Sequence, residues 1–373
     1  MTSPPPAVVC VDPARARELP RALQDLDSLV IDRPGTSPVS VRDVLNATVT
    51  DAWVVLHKGA VVTERYGSGG GAERLHPLMS ITKTLVGAVA GALRAEGVLD
   101  FAAPLTRYVP ELGEGGYAGA TVRDCLDMRS GVRFREDYDD PRSELHRMDA
   151  EGIYPHLRSL VADRPHGGPF EYRSCETDAL GWVCEAASGQ SMPDLIAGRI
   201  WAPMGATRDA EMVRDALGTP VHDGGMMATA LDLARFGQLL LDGGARAGRQ
   251  IVPSQWLAEV WAVHAELRSA YDRSDVGPFL PRGWYRNQCW VLPGPHGDLL
   301  LGLGIHGQLL RVDPATRTVV VKLSSWPAAQ NPQWLVETLR ACDAVVAAVS
   351  GRRPRAADRS SSAQAGPSPT RFH

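Results

Sequence analysis

Lysine is almost missing from this 373-residue chain. Of 39 basic residues only Lys58, Lys83 and Lys322 are lysine, which leaves 36 arginines. A bias toward GC-rich codons accounts for that skew, so a lysine that persists against it merits inspection. Long apolar runs are missing too. No stretch approaches the roughly 20 residues needed to span a bilayer. Residues 1–6 carry no basic start, and the apolar run at 7–11 is too short for a signal peptide. The expectation is a cytoplasmic protein with no membrane partner. Positive charge is not in excess either: the formal net charge is −4, which excludes a general nucleic-acid binder. The six cysteines form no C-x-x-C pair, and the ten histidines form no H-E-x-x-H or H-x-H cluster. A zinc or redox site therefore has no local support, the cysteines are expected to be mostly buried thiols, and no metal or cofactor is expected.

What is present, 44% hydrophobic and 22% charged residues, is the composition of a globular protein. Two β-rich runs, 52–57 and 60–66, flank Lys58-Gly59 and read as a hairpin. Residues 38–48 read as a short helix. From Ser80 to Leu93 the pattern is helical and apolar nearly all round, as in a buried helix. Further helices are expected from Thr177 to Ser188 with Gly189 as the stop, from Ala230 to Leu241, and over 331–349. Strands are expected at 289–292, 309–312 and 318–323. Strands, a long helical stretch, more strands and a closing helix give an α/β (α+β) fold class. It is an antiparallel sheet from both chain ends, flanked by helices, with a large mainly helical insertion. The division is an N-terminal extension at 1–37, a main domain at 38–350 and a disordered tail at 351–373. Within the main domain, 38–78 and 285–350 form the α/β part and 79–284 the helical part.

The chemistry concentrates at Ser80 and Lys83. A spacing of three puts both side chains on one helix face. Ser80 stands where the helix begins, so its backbone N–H lies outside the helical ladder and can stabilise an oxyanion. A serine hydroxyl needs a base to become a nucleophile, and a lysine desolvated in an apolar helix can lose its charge and serve as one. With 22 serines and three lysines in the chain, about 0.2 S-x-x-K matches are expected by chance. The bland alternative is a helix-capping serine beside a snorkelling lysine.

The run Met79-Ser80-Ile81-Thr82-Lys83-Thr84, then Gly97-Val98-Leu99-Asp100 and Tyr108-Val109-Pro110-Glu111-Leu112, resembles the serine β-lactamase-like superfamily. Further runs resemble its 6-aminohexanoate-dimer (nylon-oligomer) hydrolase branch: 127–132 with Glu136-Asp137-Tyr138, 177–182, Gly304-Ile305-His306-Gly307-Gln308, and 323–327. The resemblance spans roughly residues 50–345 and implies a β-lactamase/transpeptidase-like fold. It implies that Tyr172 shares the proton of Ser80 with Lys83, and that Ser174 replaces the usual Asn of a Tyr-x-Asn motif. It places His306-Gly307-Gln308 where Lys-Thr-Gly stands in the superfamily. Gln308 N–H is then the second oxyanion donor beside Ser80 N–H, Gly307 admits the substrate close to the strand, and His306 either contacts substrate or braces structure. The missing lysine of that motif argues for a neutral ester or amide over a penicillin. Tyr138 is implied to contact an amide nitrogen. Glu136, Asp137, Asp139 and Asp140 read as a solvated acidic loop, with attraction of a substrate ammonium as the alternative. Trp284, Tyr285 and Trp290 read as either an apolar acyl pocket or core.

The expected function is a serine acyl-transfer enzyme that forms an acyl-Ser80 intermediate from a small ester or linear amide and releases it by hydrolysis. One alternative passes the acyl group to an amine or alcohol acceptor; another is a non-catalytic binding protein on the same scaffold. Oligomeric state and the role of the tail are not legible.

Overall fold

The computed structural model describes residues 4–31, 33, 37–67 and 71–352. The tail expectation for 353–373 lies outside the described residues. Lys58 and Gly59 take φ of 50° and 83°, as a type I′ hairpin turn requires. They join β1 (Thr50–His57) to β2 (Ala60–Tyr66), with His57 opposite Ala60 and Ala52 opposite Tyr66. The middle of the chain supplies helices α1 (Thr82–Ala95), α2 (Ser174–Ser188) and α3 (Ala230–Leu241). The last third supplies β3 (Trp284–Arg286), β4 (Cys289–Pro293), β5 (Asp298–Gly304), β6 (Gln308–Asp313), β7 (Thr318–Ser324) and α4 (Pro332–Ser350).

These seven strands form one antiparallel sheet in the order β3-β4-β5-β6-β7-β1-β2. Val321 of β7 lies opposite Val54 of β1, so the two ends of the chain meet in the sheet. Alternation along β1 divides the core. Val54 and Leu56 pack with Leu85 and Val89 of α1 and Phe236 of α3. Trp53 and Val55 pack with Ala341 and Val345 of α4 on the other face. Burying α1 between sheet and helices explains why it is apolar all round: every residue from Thr82 to Leu93 is buried.

Local chemistry sets the helix ends. Ser40 and Asp43 form a capping box over the helix Val41–Ala47. Gly189 ends α2 with a left-handed φ of 68°. β5 was not anticipated from sequence because its run is leucine and glycine, without the β-branched residues that mark β7, and both its faces are buried, Leu299 and Leu301 facing one core and Leu300 the other. Polar alternation, the usual strand signal, is therefore missing there. A second, four-stranded sheet joins Ala7–Val9, Ala210–Met212, Met226–Ala228 and His76–Pro77 in that order. It fixes the segment just ahead of Ser80, where Leu78 N–H donates to the Met226 carbonyl at 2.8 Å. Among the described residues no helix is long and apolar enough to cross a membrane. Five cysteines are buried and Cys10 is exposed, all as free thiols.

Candidate active site

Ser80 sits in a single 3₁₀ turn, Met79–Ile81, that runs into α1. Met79 holds a left-handed φ of 49°, a strained conformation for a residue other than glycine. One turn along, Lys83 is 1% exposed. Its Nζ donates to Ser80 Oγ at 3.0 Å, Ser174 Oγ at 3.1 Å and the Asp223 carbonyl at 2.8 Å, with Asp223 Oδ2 at 3.4 Å. Three acceptors account for all three ammonium hydrogens. Burial alone would lower its pKa, but Tyr172, Asp223, Glu136 and Asp178 outweigh burial and raise it. The expectation that desolvation neutralises this lysine is therefore corrected: its acidic surroundings hold it as an ammonium.

Tyr172 comes from the segment leading into α2, stacked on Trp290 with ring centroids 5.2 Å apart and edge-on to Tyr285 at 6.1 Å. Its phenol interacts with both Ser80 and Lys83. Burial pushes the phenol up and Lys83 pulls it down, with a net upward shift. Ser174 opens α2. Its hydroxyl, between Lys83 and Glu136 Oε1 (2.8 Å), is engaged by the protein itself.

Glu136 is not part of a solvated loop. It is 6% exposed and accepts from the Ser174 N–H at 2.5 Å, the Ser174 hydroxyl and the Tyr138 hydroxyl. Its pKa is raised, burial opposing the pull of Lys83. Asp137 and Asp140, in contrast, are paired with Arg135 at 3.0 and 2.7 Å on the outer side of the loop.

Ser80, Tyr138, Tyr172, Gly307 and Gln308 share the wall of one cavity of about 160 Å³ with Glu136, Trp290 and apolar side chains such as Leu280, Trp326 and Leu335. Of the described residues lining it, none is lysine, arginine or histidine. Trp284 and Tyr285 lie instead in the core. Gln308 clamps β6 to β7: Nε2 donates to the Ser324 carbonyl at 2.7 Å and Oε1 accepts from Ser324 N–H at 2.9 Å. Gly307 has φ 85°, and a Cβ there would lie 2.2 Å from the Trp326 ring. The group that needs the bare glycine is thus Trp326. His306 turns away from the cavity, with Nδ1 2.8 Å from the Trp326 carbonyl and its N–H on the Ala329 carbonyl, and so braces this corner.

Sequence reasoning missed a buried charged cluster behind Lys83. Asp178 Oδ1 accepts from the backbone N–H of His222 and Asp223 at 3.0 and 3.3 Å, which fixes the carbonyl that receives Lys83. The His222 ring lies 3.5 Å from both Asp178 and Glu185. Burial opposes its charge, but the two carboxylates overcome this and push its pKa up to about 9. The run at 177–182 is explained by this packing. A Cβ on Gly181 would meet the His222 ring at 2.2 Å, and Trp182 stacks on Tyr154, whose hydroxyl donates to Glu185. Asp223 and His222 left no signal in the sequence, because their partners Lys83 and Asp178 lie 140 and 44 residues away.

A hydroxyl fixed on a buried ammonium, with a tyrosine ring whose centroid lies 5.2 Å from that ammonium, inside this sheet-and-helix frame, is the arrangement of the serine hydrolases built on the β-lactamase fold. The chain belongs to the Beta-lactamase family, whose model matches residues 46–333. Within that family it falls with the 6-aminohexanoate-dimer hydrolase branch. It is 36% identical over 361 residues to the 6-aminohexanoate-dimer hydrolase of Paenarthrobacter ureafaciens, covering 92% of this chain and 89% of that protein. A Bacillus anthracis structure named as a candidate 6-aminohexanoate-dimer hydrolase superposes with a TM-score of 0.84 at 28% identity, over 93% of this chain and 91% of that one. Esterase EstB of Burkholderia gladioli is 28% identical over 169 residues, 41% of this chain and 43% of that protein.

Proposed function

We propose that the protein hydrolyses small neutral amides or esters through an acyl-Ser80 intermediate. The observation that carries this reading is the Ser80 Oγ contact with the Lys83 ammonium at 3.0 Å, with Tyr172 interacting with both. Lys83 donates to Ser80 and so cannot take its proton. Tyr172, as a phenolate paired with the ammonium, accepts the Ser80 proton. Ser80 Oγ then bonds to the carbonyl carbon, and the oxyanion is stabilised by the Ser80 and Gln308 N–H groups. On collapse Tyr172 returns the proton to the leaving nitrogen or oxygen. Water repeats the cycle and releases the acid. The absence of a cationic residue in the described lining supports a neutral substrate over a carboxylate. The similarity to an amide-dimer hydrolase and an esterase supports both amide and ester chemistry.

The test is to incubate the protein with a fluorophosphonate and with a chromogenic ester and amide, reading labelling by mass spectrometry. Labelling of Ser80 and release of acid from both substrates are expected. No labelling of folded protein would sink the proposal. Transfer to an amine or alcohol uses the same intermediate, and the largely apolar cavity wall favours it as a side reaction. Acid as the sole product across an amine panel would exclude it.

A further inference from the structure

Away from the cavity, arginines gather where the N-terminal segment crosses α3. Arg235, on α3, has a side chain 1% exposed. Its Nη1 donates to Asp232 Oδ1 at 2.6 Å and its Nε to the Arg17 carbonyl at 3.1 Å. Its Nη2 is buried and has no hydrogen-bond partner among the described residues. Glu18 Oε2 stands 3.7 Å from that nitrogen, on a side chain 81% exposed. Asp232 has little left to give it, since it already accepts from the Thr207 and Arg208 N–H groups and the Thr229 hydroxyl.

Arg17 and Arg246 meet at Gly205. The Arg17 N–H donates to the Gly205 carbonyl at 3.4 Å. A Cβ on Gly205, whose φ is 77°, would lie 3.0 Å from Arg246 Cζ. The guanidinium of Arg17 donates to the Ala14 and Ala16 carbonyls, and that of Arg246 to the Met204 carbonyl. Arg249 stands directly opposite Arg246 where the short strands Ala245–Arg246 and Arg249–Gln250 pair, and like charges so placed repel. Burial and the charges of Arg235 and Arg17 all push the Arg246 pKa down, so Arg246 faces cations with no carboxylate to offset them. In a chain of net charge −4, this local excess is made by folding.

We propose that Arg17, Arg235, Arg246 and Arg249 form a binding site for a phosphate group, remote from the acyl-transfer cavity. Four arginines against Asp232 and Glu18 leave two positive charges over, which a phosphate dianion neutralises and one carboxylate does not. Its oxygens take hydrogens from Arg235 Nη2 and from the Arg246 and Arg249 guanidinium groups, whose planar forks match them, and the exposed Glu18 side chain swings out. None of these residues lines the cavity. The bound group ties the N-terminal segment to α3 and to the 245–250 hairpin, so it stabilises the folded chain by linkage.

The experiment titrates inorganic phosphate into the full chain by calorimetry at constant ionic strength, with thermal melts beside it, and repeats both with glycerol 3-phosphate and with succinate. The wild type should bind phosphate at one saturable site and melt about 2–4 °C higher at phosphate tenfold above Kd. Arg246→Gln should weaken binding by about tenfold or more, and Glu18→Gln should tighten it by about threefold, with ester turnover unchanged in both. Binding of inorganic phosphate alone would assign the free ion, and binding of both phosphates a phosphorylated small molecule. No saturable binding by the wild type, undiminished binding by Arg246→Gln, or succinate bound as tightly as phosphate would overturn the proposal. The wild-type titrations decide the matter even if Arg246→Gln fails to fold.

Discussion

Lys83 and Lys322 are both buried, and their surroundings drive them in opposite directions. Lys83 lies among Tyr172, Asp223, Glu136 and Asp178, which raise its pKa despite burial. Lys322, on β7, donates to the Thr48 carbonyl at 3.2 Å and to Ser324 Oγ, beside the Trp326 ring. Among the described residues no carboxylate lies within ion-pair distance of it, and burial lowers its pKa to about 7. The contrast shows that burial sets a cost for charge, and the neighbouring anions decide whether the charge persists.

The largest test of this contrast replaces each lysine by methionine. Lys83→Met should lower Ser80 acylation by about 10³-fold or more and destabilise the fold, because Glu136 and Asp223 are left without their cation. Lys322→Met should leave acylation unchanged and stabilise the protein by about 1–3 kcal/mol at neutral pH. The sign follows from linkage: a lysine with a depressed folded pKa penalises folding wherever the unfolded chain is protonated. That gain should therefore be full below about 7 and fade as pH rises toward 10.5, as thermal melts across pH would record. A loss of stability in Lys322→Met at pH 6 would break the comparison.

Next in size is Tyr172→Phe, expected to lower acylation by about 10²–10⁴-fold with Lys83 intact. The Lys83–Tyr172 pair must shed one proton to become active, and burial raises the phenol. The acylation rate of the wild type should consequently climb on the alkaline side of neutrality, and a flat profile there would count against the phenolate. A smaller effect is expected for His222→Gln. The folded pKa of His222, about 9 against an ordinary 6.5, means its stabilisation is complete below 6.5 and is lost as pH rises through 9. The variant should melt earlier than wild type at pH 6 and alike near pH 10. The smallest effect should come from His306→Asn. Asparagine tolerates the left-handed φ of 59°, and the ring faces the Trp326 carbonyl, so KM should shift by no more than about threefold. A tenfold rise would return His306 to the substrate.

Much of the frame was legible because its signals are local. The Lys58-Gly59 turn, the S-x-x-K spacing, the Ala230–Leu241 helix and the apolar run of β7 each need only neighbouring residues to be read. The part that was not legible is long-range charge. Glu136 stands in a sequence crowded with acids, and only folding separates it from Asp137 and Asp140, sending one to Ser174, the serine that also receives Lys83, and the others to Arg135. The burial of Lys83 in α1 could be read from the apolar run, but the polarity of what faces it could not. Gly307 was rightly marked as a place of close approach, yet what approaches is Trp326, which the chain supplies 19 residues later.

With Lys83 and Lys322 both enclosed, the exposed Lys58 is the one side-chain amine left open to solvent. It sits at the tip of a hairpin on the outer strands of the sheet, apart from the residues that line the cavity. Side-chain amine coupling therefore has a single address, and with the terminal α-amine blocked a lysine-directed dye would sit there, off the residues that line the cavity.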